Sequence, residues 1–371
     1  MNSSLKLKNS APLLGIILMT VFFWGCSPKN TSNSGQAKSK DQGGNEVKYP
    51  HELLDSIDQA AVIFYNVENL FDTIDDPETR DEDFLPLSKK NWNSKRYEDK
   101  LEKLSEVITS VDSKNPLFIG LAEVENRFVV HDLLKKGKLK ETKYRVAHFE
   151  SPDARGIDVA LAFDHERFHM THKQAIELSL ADDPDYKTRD ILYVKGVFFD
   201  SSEVHVFVNH WSSRRGGQEA SEHKRVNAAE VLSGFVDSIQ RVEQDANILI
   251  MGDFNDYPNN RSVAEVLDAG KPSSDSKLVN LMLPYHEKGE GTHNYKGKWG
   301  ALDQMIVSRA LMDNNGLDIV NKEVKIAYDE AFLYTKKDGS KTPNRTYGGN
   351  SYFGGYSDHL AVYSIIGFEN K

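Results

Sequence analysis

The sequence predicts one domain of the α/β (α+β) class, and three observations make that prediction. Apolar runs of strand length recur between residues 61 and 366, each bounded by polar residues. Two longer stretches, 95–111 and 219–240, instead space their apolar side chains by three and four, the period of a helix that buries one stripe. Several of the apolar runs also end in Asp, Asn, Glu or His. These residues rarely favour strands, and a local preference overridden in this way marks a position kept for function.

Taken in order, residues 61–65 form the first strand candidate, running into Asn66-Val67-Glu68-Asn69, and a charged loop over 75–90 follows. In the first helix Tyr97, Leu101, Leu104, Ile108 and Val111 make the apolar stripe. Residues 117–122 are the next buried strand, ending in Glu123-Val124-Glu125-Asn126, with a short helix expected over 128–136. Strands are then expected at 144–148, 157–163, 191–198 and 204–208, the last leading to Asn209 and His210. In the second helix Val226, Ala229, Leu232, Phe235, Val236 and Ile239 share a face. Strands at 247–251, 302–307 and 360–366 complete the set. The first of these runs into Gly252-Asp253-Phe254-Asn255, and the last is preceded by Ser357-Asp358-His359. No repeat and no Pro/Gly-rich break interrupts this stretch, so 60–371 is read as a single folded unit.

The first residues are of another kind. Lys6 and Lys8 precede an apolar stretch over 13–24 that ends Phe23-Trp24-Gly25-Cys26. A basic start, a short apolar segment and a small residue before the cut describe a secretory signal over 1–25, too short to span a bilayer comfortably. Cys26 is the only cysteine, so disulfides within the chain do not arise. Its place after Gly25 resembles the bacterial lipobox, whose cysteine is diacylated and becomes the first residue of the mature chain. Phe23 departs from the leucine usual there, and an ordinary signal with an incidental cysteine is the alternative. Residues 26–59 read as a polar tether. The lipid reading places the domain in the cell envelope as a periplasmic or outer-membrane lipoprotein, held to the membrane by its lipid alone and monomeric. The formal charge is −10, and losing the signal with its two lysines and no acid makes it −12. A dedicated duplex binder usually shows a basic face, so this balance argues against nucleic acid as the dedicated partner while leaving room for a local basic cleft.

If the polar ends of the strands meet, Glu68, Glu123, Asp253, Asp303 and Asp358 make a strongly negative pocket. Buried carboxylates repel and raise one another's pKa unless a cation lies among them. Oxygen ligands without cysteine suit hard Mg²⁺, with Mn²⁺ as the alternative, rather than zinc. Among twelve histidines, His210 and His359 stand at strand ends beside acids or amides and are candidates for a general base or a phosphate donor. His131, His148, His169 and His205 read as ordinary surface or core residues. Arg214 and Arg215 are candidates for a bidentate grip on a substrate phosphate; a solvated loop charge, or a tie to an active-site carboxylate, is the alternative. Arg155 and Arg189 are weaker candidates of the same type. Tyr295 and Trp299 read as core packing rather than as platforms for a base.

Asn66-Val67-Glu68-Asn69, Ala122-Glu123-Val124, Gly252-Asp253-Phe254-Asn255, Leu302-Asp303-Gln304 and Ser357-Asp358-His359 together resemble, in identity and order, the endonuclease/exonuclease/phosphatase superfamily. Its members include DNase I, abasic-site endonucleases, inositol polyphosphate 5-phosphatases and bacterial sphingomyelinases. The resemblance implies a DNase I-like four-layer αββα sandwich and Mg²⁺-dependent hydrolysis of phosphodiesters or phosphomonoesters, the substrate being a nucleic acid, a nucleotide or another phosphate ester. It implies Glu123 as principal metal ligand, with Asn66, Glu68 and Asp358 assisting. Asp253 would orient or deprotonate the attacking water, and Asn255 would contact the phosphate. His359 would act as second base or phosphate contact, oriented by Asp303. His210 matches the second histidine of the DNase-like and sphingomyelinase-like branches, which leans away from the abasic endonucleases. The alternative enzyme is a phospholipase C acting on sphingomyelin, for which no apolar membrane-entering hairpin is found. The alternative of another class is a non-catalytic binding module, against which every matched position keeps a competent side chain.

The lipobox reading has a direct check. Replacing Cys26 by serine should abolish metabolic labelling with palmitate and move the protein from the membrane to the soluble fraction. Unlabelled wild-type protein would assign the segment to an ordinary signal.

Overall fold

The computed structural model describes residues 59–112, 114–198 and 202–368; the signal over 1–25, Cys26 and the tether up to residue 58 lie outside them. Ten strands carry the fold: β1 Gln59–Leu70, β2 Phe118–Val124, β3 Tyr144–His148, β4 Asp158–Asp164, β5 Phe168–Ile176, β6 Ile191–Phe198, β7 Glu203–His210, β8 Asn247–Asp253, β9 Asp303–Ser308 and β10 Val362–Phe368. The main helices are α1 Ser94–Ser110, α2 Arg127–Leu133 and α3 Gln218–Val242. One seven-stranded sheet runs Leu317–Ile319, β10, β1, β2, β4, β3, with Lys325–Ile326 also on β10. The other runs β5, β6, β7, β8, β9, Leu278–Asn280, Ala269–Gly270. β1 pairs β2 in parallel, and β7 pairs β8 in parallel.

Alternation along the strands builds the layers. In β1, Val62 and Phe64 belong to one buried cluster with Val206, Val208, Leu249 and Met251 of the other sheet. Ile63 and Tyr65, pointing the other way, join Leu101, Leu104 and Ile108 of α1 and Val129 and Leu133 of α2. In β8, Leu249 and Met251 face the first sheet, whereas Ile248 and Ile250 join Ala229, Leu232 and Val236 of α3. Three apolar seams separate four layers, which is the expected αββα sandwich. Each fully buried aliphatic or aromatic side chain contributes about 1.5–3 kcal/mol by leaving water.

The helices begin where the sequence supplies caps. Asn93 is extended and its side chain accepts the Arg96 N–H at 3.2 Å. Asn126 accepts from Phe128 at 2.7 Å and Val129 at 3.1 Å. α3 follows Gly216 and Gly217, whose φ angles of 87° and 116° demand glycine.

Several boundaries differ from the sequence expectation. β7 and β8 continue through His210 and Asp253 because ladder pairing holds the backbone extended whatever the side chain, and β1 reaches Leu70 across an irregular turn of backbone at Glu68 and Asn69. The helix expected over 128–136 ends at Leu133. β5 was not anticipated; it is an edge strand whose middle is exposed, so it lacks a clean apolar period.

Gly252 is fixed by close packing. A Cβ there would lie 2.4 Å from the Asn209 carbonyl oxygen and 2.6 Å from its Cβ, on the neighbouring strand. Gly252→Ala should therefore destabilise the protein by about 1–3 kcal/mol, read as a lower urea midpoint at unchanged slope. A wild-type midpoint would show that β7 and β8 separate freely at this position.

Candidate active site

Three neighbouring strands end side by side. The ladders set His210 of β7 opposite Asp253 of β8, and Asp253 opposite Asp303 of β9. The facing sheet brings Asn66 of β1 and Glu123 of β2, whose strands pair Asn66 with Ala122. Both contributions come from irregular backbone: the β1–β2 register shifts between Asn66 and Leu70, and the β2–β4 register between Ala122 and Val124. Such bulges re-aim side chains. Glu68, Asn69, Glu123 and Asn255 also hold positive φ angles of 51°, 54°, 65° and 49°. Non-glycine residues seldom adopt this conformation, and it concentrates where geometry is being imposed.

Asp253 is the centre of the arrangement. Asn66 Nδ2 donates to Asp253 Oδ2 at 3.0 Å and reaches Glu123 Oε1 at 3.4 Å. Asp253 Oδ1 accepts the Asn255 N–H at 2.9 Å, and Glu123 Oε2 accepts the Asn69 N–H at 3.0 Å. His210 Nε2 lies 3.8 Å from Asp253 Oδ2 and 3.9 Å from Glu123 Oε1. His359 Nε2 also lies 3.9 Å from Asp253 Oδ2. These histidine gaps exceed hydrogen-bond length, so both rings face the carboxylate without being bonded to it. His359 Nδ1 is bonded to Asp303 Oδ2 at 2.6 Å, and Thr292 Oγ1 donates to the same oxygen. Ser357 Oγ donates to the Asn66 carbonyl at 2.7 Å and accepts the His359 N–H at 3.1 Å, locking the Ser357-Asp358-His359 segment onto β1.

The environment drives the two histidines apart. Burial disfavours charge on His359, but Asp303, then Asp253 and Asp358, outweigh it and hold its pKa well above the ordinary value. Burial, with the positive charges of Arg189, Arg155 and His359, holds His210 well below it. At neutral pH one ring is an imidazolium and the other neutral. Burial raises Asp253, Asp303 adding and His359 opposing, to about 6.

His and Asp side chains gather here at spacings that could hold a metal ion. Asp253, Asp303 and His359 each bring one ligand atom within 4.8 Å of the others, as do His293, Asp358 and His359. Asp303 Oδ1 is buried without a hydrogen-bond partner among the described residues, and Glu123 Oε1 has only the long Asn66 contact. Carboxylate oxygens left open in a buried site fit a hard cation.

Other sequence candidates sit differently. Glu68 accepts the Thr346 and Tyr347 N–H groups at 2.6 and 3.1 Å, anchoring that segment instead of joining Glu123. Burial and Asp358 raise its pKa to about 7, with Lys100 opposing. Asp358 pairs with Arg345, and although burial opposes charge, His359 and Arg345 hold its carboxyl below the ordinary value. Arg214 is turned away from a phosphate-gripping role: it bonds the Asn255 carbonyl at 2.7 Å, Asn260 at 2.7 Å and Asp256 at 3.1 Å, and stacks on Tyr257. Arg215 is exposed. The Asn255 amide donates to the Trp211 carbonyl at 3.0 Å, so its side chain braces the loop. Arg189 holds the His210 and Trp211 carbonyls at 3.1 and 2.6 Å while paired with Asp153 at 2.9 Å; Arg155 also bonds Asp153. Trp299 packs against the cluster under α1, whereas Tyr295 is exposed, contrary to the core role read for it. Thr292, His293, Lys100 and Arg345 were not singled out from sequence. They lie outside apolar runs or on a helix face, so no strand-end signal marks them.

A sequence model of the endonuclease/exonuclease/phosphatase family matches residues 61–367. The chain belongs to this family. Solved structures with the same fold include the human Nocturnin catalytic domain with bound sulfate anion, 16% identical, covering 84% of this chain and 95% of that one at a TM-score of 0.51. An endonuclease/exonuclease/phosphatase family protein from Bacteroides thetaiotaomicron is 15% identical, covering 84% and 98% of the two chains at a TM-score of 0.50. A mannosyl-6-phosphatase from the same species is 15% identical, covering 83% and 100% at a TM-score of 0.50. At these identities the likeness establishes the fold. No curated protein sequence matches the chain.

In this family member the His359–Asp303 pair sets a pH dependence. Its stabilisation is complete below the unfolded histidine pKa, about 6.5, and is lost as pH rises through the higher folded value. In metal-free protein, nitrogen-15 imidazole NMR should show His359 protonated well above pH 6.5, and Asp303→Asn should move its midpoint down. The variant should also lose the alkaline decline in stability. Equal midpoints would remove Asp303 as the source of the shift.

Proposed function

We propose that the protein hydrolyses phosphoesters with the help of Mg²⁺, or alternatively Mn²⁺, by in-line attack of water. The observation that carries this reading is Asp253, a buried carboxylate flanked by the Asn66 amide and by the His210 and His359 rings, with Glu123 beside it. Glu123 and Asn66 are the residues that would hold the ion, which when bound neutralises charge on the phosphoryl oxygens. Asp253 is mostly ionised at neutral pH and, with a pKa about 6, is matched to accepting a proton from the attacking water. His359, held by Asp303, donates from Nε2 to a nonbridging oxygen as charge builds there. His210 presents its Nε2 to the same space from the Glu123 side. Preorganised donors of this kind are each worth roughly 10²–10³ in kcat.

The charge of one neighbouring cavity favours a small phosphate ester over a polynucleotide. A cavity of about 830 Å³ over the segments that follow β1 and β2 is lined by Asp72, Asp75, Asp76, Glu78, Glu125 and Asp153, against Arg80 and Lys187. That charge repels a polyanion. With the signal-like segment and Cys26, the reading is an enzyme tethered by lipid outside the cytoplasm; no helix among the described residues is long and apolar enough to cross a membrane.

The test is a hydrolysis panel of plasmid DNA, RNA, nucleotides, sugar phosphates, inositol phosphates and sphingomyelin, with Mg²⁺ or with EDTA. Glu123→Ala and His359→Ala should each lower kcat by roughly 10²–10³, and EDTA should stop turnover. Small esters should outpace plasmid DNA. Hydrolysis surviving EDTA and both substitutions would refute the mechanism.

A further inference from the structure

A second cluster of ligand-type side chains lies toward the other end of β7, away from His210. Glu203 and His205 are two residues apart on this strand, so both project to the face that α3 covers, the face that also carries Phe207. Glu243 is the residue capping the C-terminus of α3. His205 Nε2 lies 3.7 Å from Glu203 Oε1 and 3.7 Å from Glu243 Oε2, and the three groups bring one ligand atom each within 4.8 Å of one another. The His205 side chain is only 3% exposed. Its Nδ1 is bonded to the Tyr193 hydroxyl at 2.8 Å, but its Nε2 is buried with no hydrogen-bond partner among the described residues. A buried ring nitrogen aimed at two carboxylates and bonded to neither is a costly arrangement, and a bound ion resolves it. Burial, then Lys195, lowers the His205 pKa to about 4, so the ring stands there neutral. Lys195, opposite His205 in the β6–β7 ladder, pairs with Glu203 and brings a positive charge to the site.

We propose that Glu203, His205 and Glu243 form a Zn²⁺ site separate from the phosphoester centre. One imidazole nitrogen and two carboxylates, with a fourth position left to water, suit this borderline-soft ion better than Mg²⁺. Bonds of about 2.0–2.2 Å around a tetrahedral ion set neighbouring ligands about 3.4 Å apart, so the two 3.7 Å separations from His205 need little closure. Tyr193 supplies the outer hydrogen bond that fixes the ring and leaves Nε2 to the ion. The C-terminal end of a helix also favours a cation. The ion staples the end of α3 to the Glu203 end of β7, joining the outer layer to its sheet.

The test uses the full chain, stripped of metal, carrying Glu123→Ala so that the phosphoester centre does not mask the result, and titrated with Zn²⁺ alone. This parent should bind one equivalent that His205→Gln does not, and Zn²⁺ should raise the Tm of the parent and not of the variant. Glu243→Gln, at a half-exposed position, should weaken binding at least about tenfold, and it decides the matter if His205→Gln does not fold. Lys195→Met should tighten binding by removing the competing charge. With Glu123 intact, His205→Gln should keep Mg²⁺-supported hydrolysis. Equal Zn²⁺ stoichiometry and equal Tm response in the parent and these ligand variants would overturn the proposal.

Discussion

The site depends on one buried carboxylate shared between two sheets. Asp253 lies at the end of β8, 2% exposed, and the Asn66 amide reaches it across the seam at 3.0 Å. Burying a carboxylate costs several kcal/mol unless neighbours replace its water. Here the replacements come from elements remote in sequence: an amide from β1, a backbone N–H from Asn255, and the charge of His359. Satisfying Asp253 therefore fixes how β1, β8 and the segment before β10 meet. Ser357 reinforces the same geometry by holding Asn66 and His359 at once.

Around that centre, buried ion pairs hold the loops. Asp256 is 1% exposed and is paired with Arg225 at 2.8 Å and Arg214 at 3.1 Å, while Gln304 of β9 donates to its carbonyl at 2.7 Å. These contacts bind the turn after Asp253 to α3 and β9 together. Arg189 does the same for the end of β7, and Glu68 for the segment at 346–347. Breaking one such pair leaves a buried charge without a partner, which destabilises far more than a lost surface contact. Groups that look catalytic by type thus divide into those that face the reacting space and those that keep it in shape.

The sequence made the first group legible and the second hard to read. Asp253 and His210 close apolar runs and Asp303 opens one, and that placement survives folding because the ladders bring neighbouring strand ends into one row. The layers were equally readable, since the stripes of α1 and α3 bury as their periods require. Arg214 was not, because a long flexible guanidinium reaches a phosphate or a carboxylate from the same position, and only the fold shows Asp256 and Asn260 waiting for it. His205 was read as ordinary because its companions are two residues before it and at the end of a helix. No local spacing links Glu203 to Glu243.

The asymmetry of the two histidines follows from what stands behind each ring. His359 is backed by Asp303, whose oxygen takes its Nδ1 at 2.6 Å. His210 has no acid behind it: its Nδ1 is buried without a partner among the described residues, and Arg189 sits against its carbonyl. The rings lie 3.8 and 3.9 Å from one oxygen of Asp253, yet one stays charged and the other neutral. Reversing them would set a cationic ring beside Glu123, where it would compete with a metal ion for the same carboxylate. With the neutral ring on the Glu123 side and the charged ring beside Asp303, the Glu123 carboxylate proposed to hold the metal stays free of a competing cation. In the proposed reaction this also sets the positive charge of His359 where a phosphoryl oxygen would gain electron density.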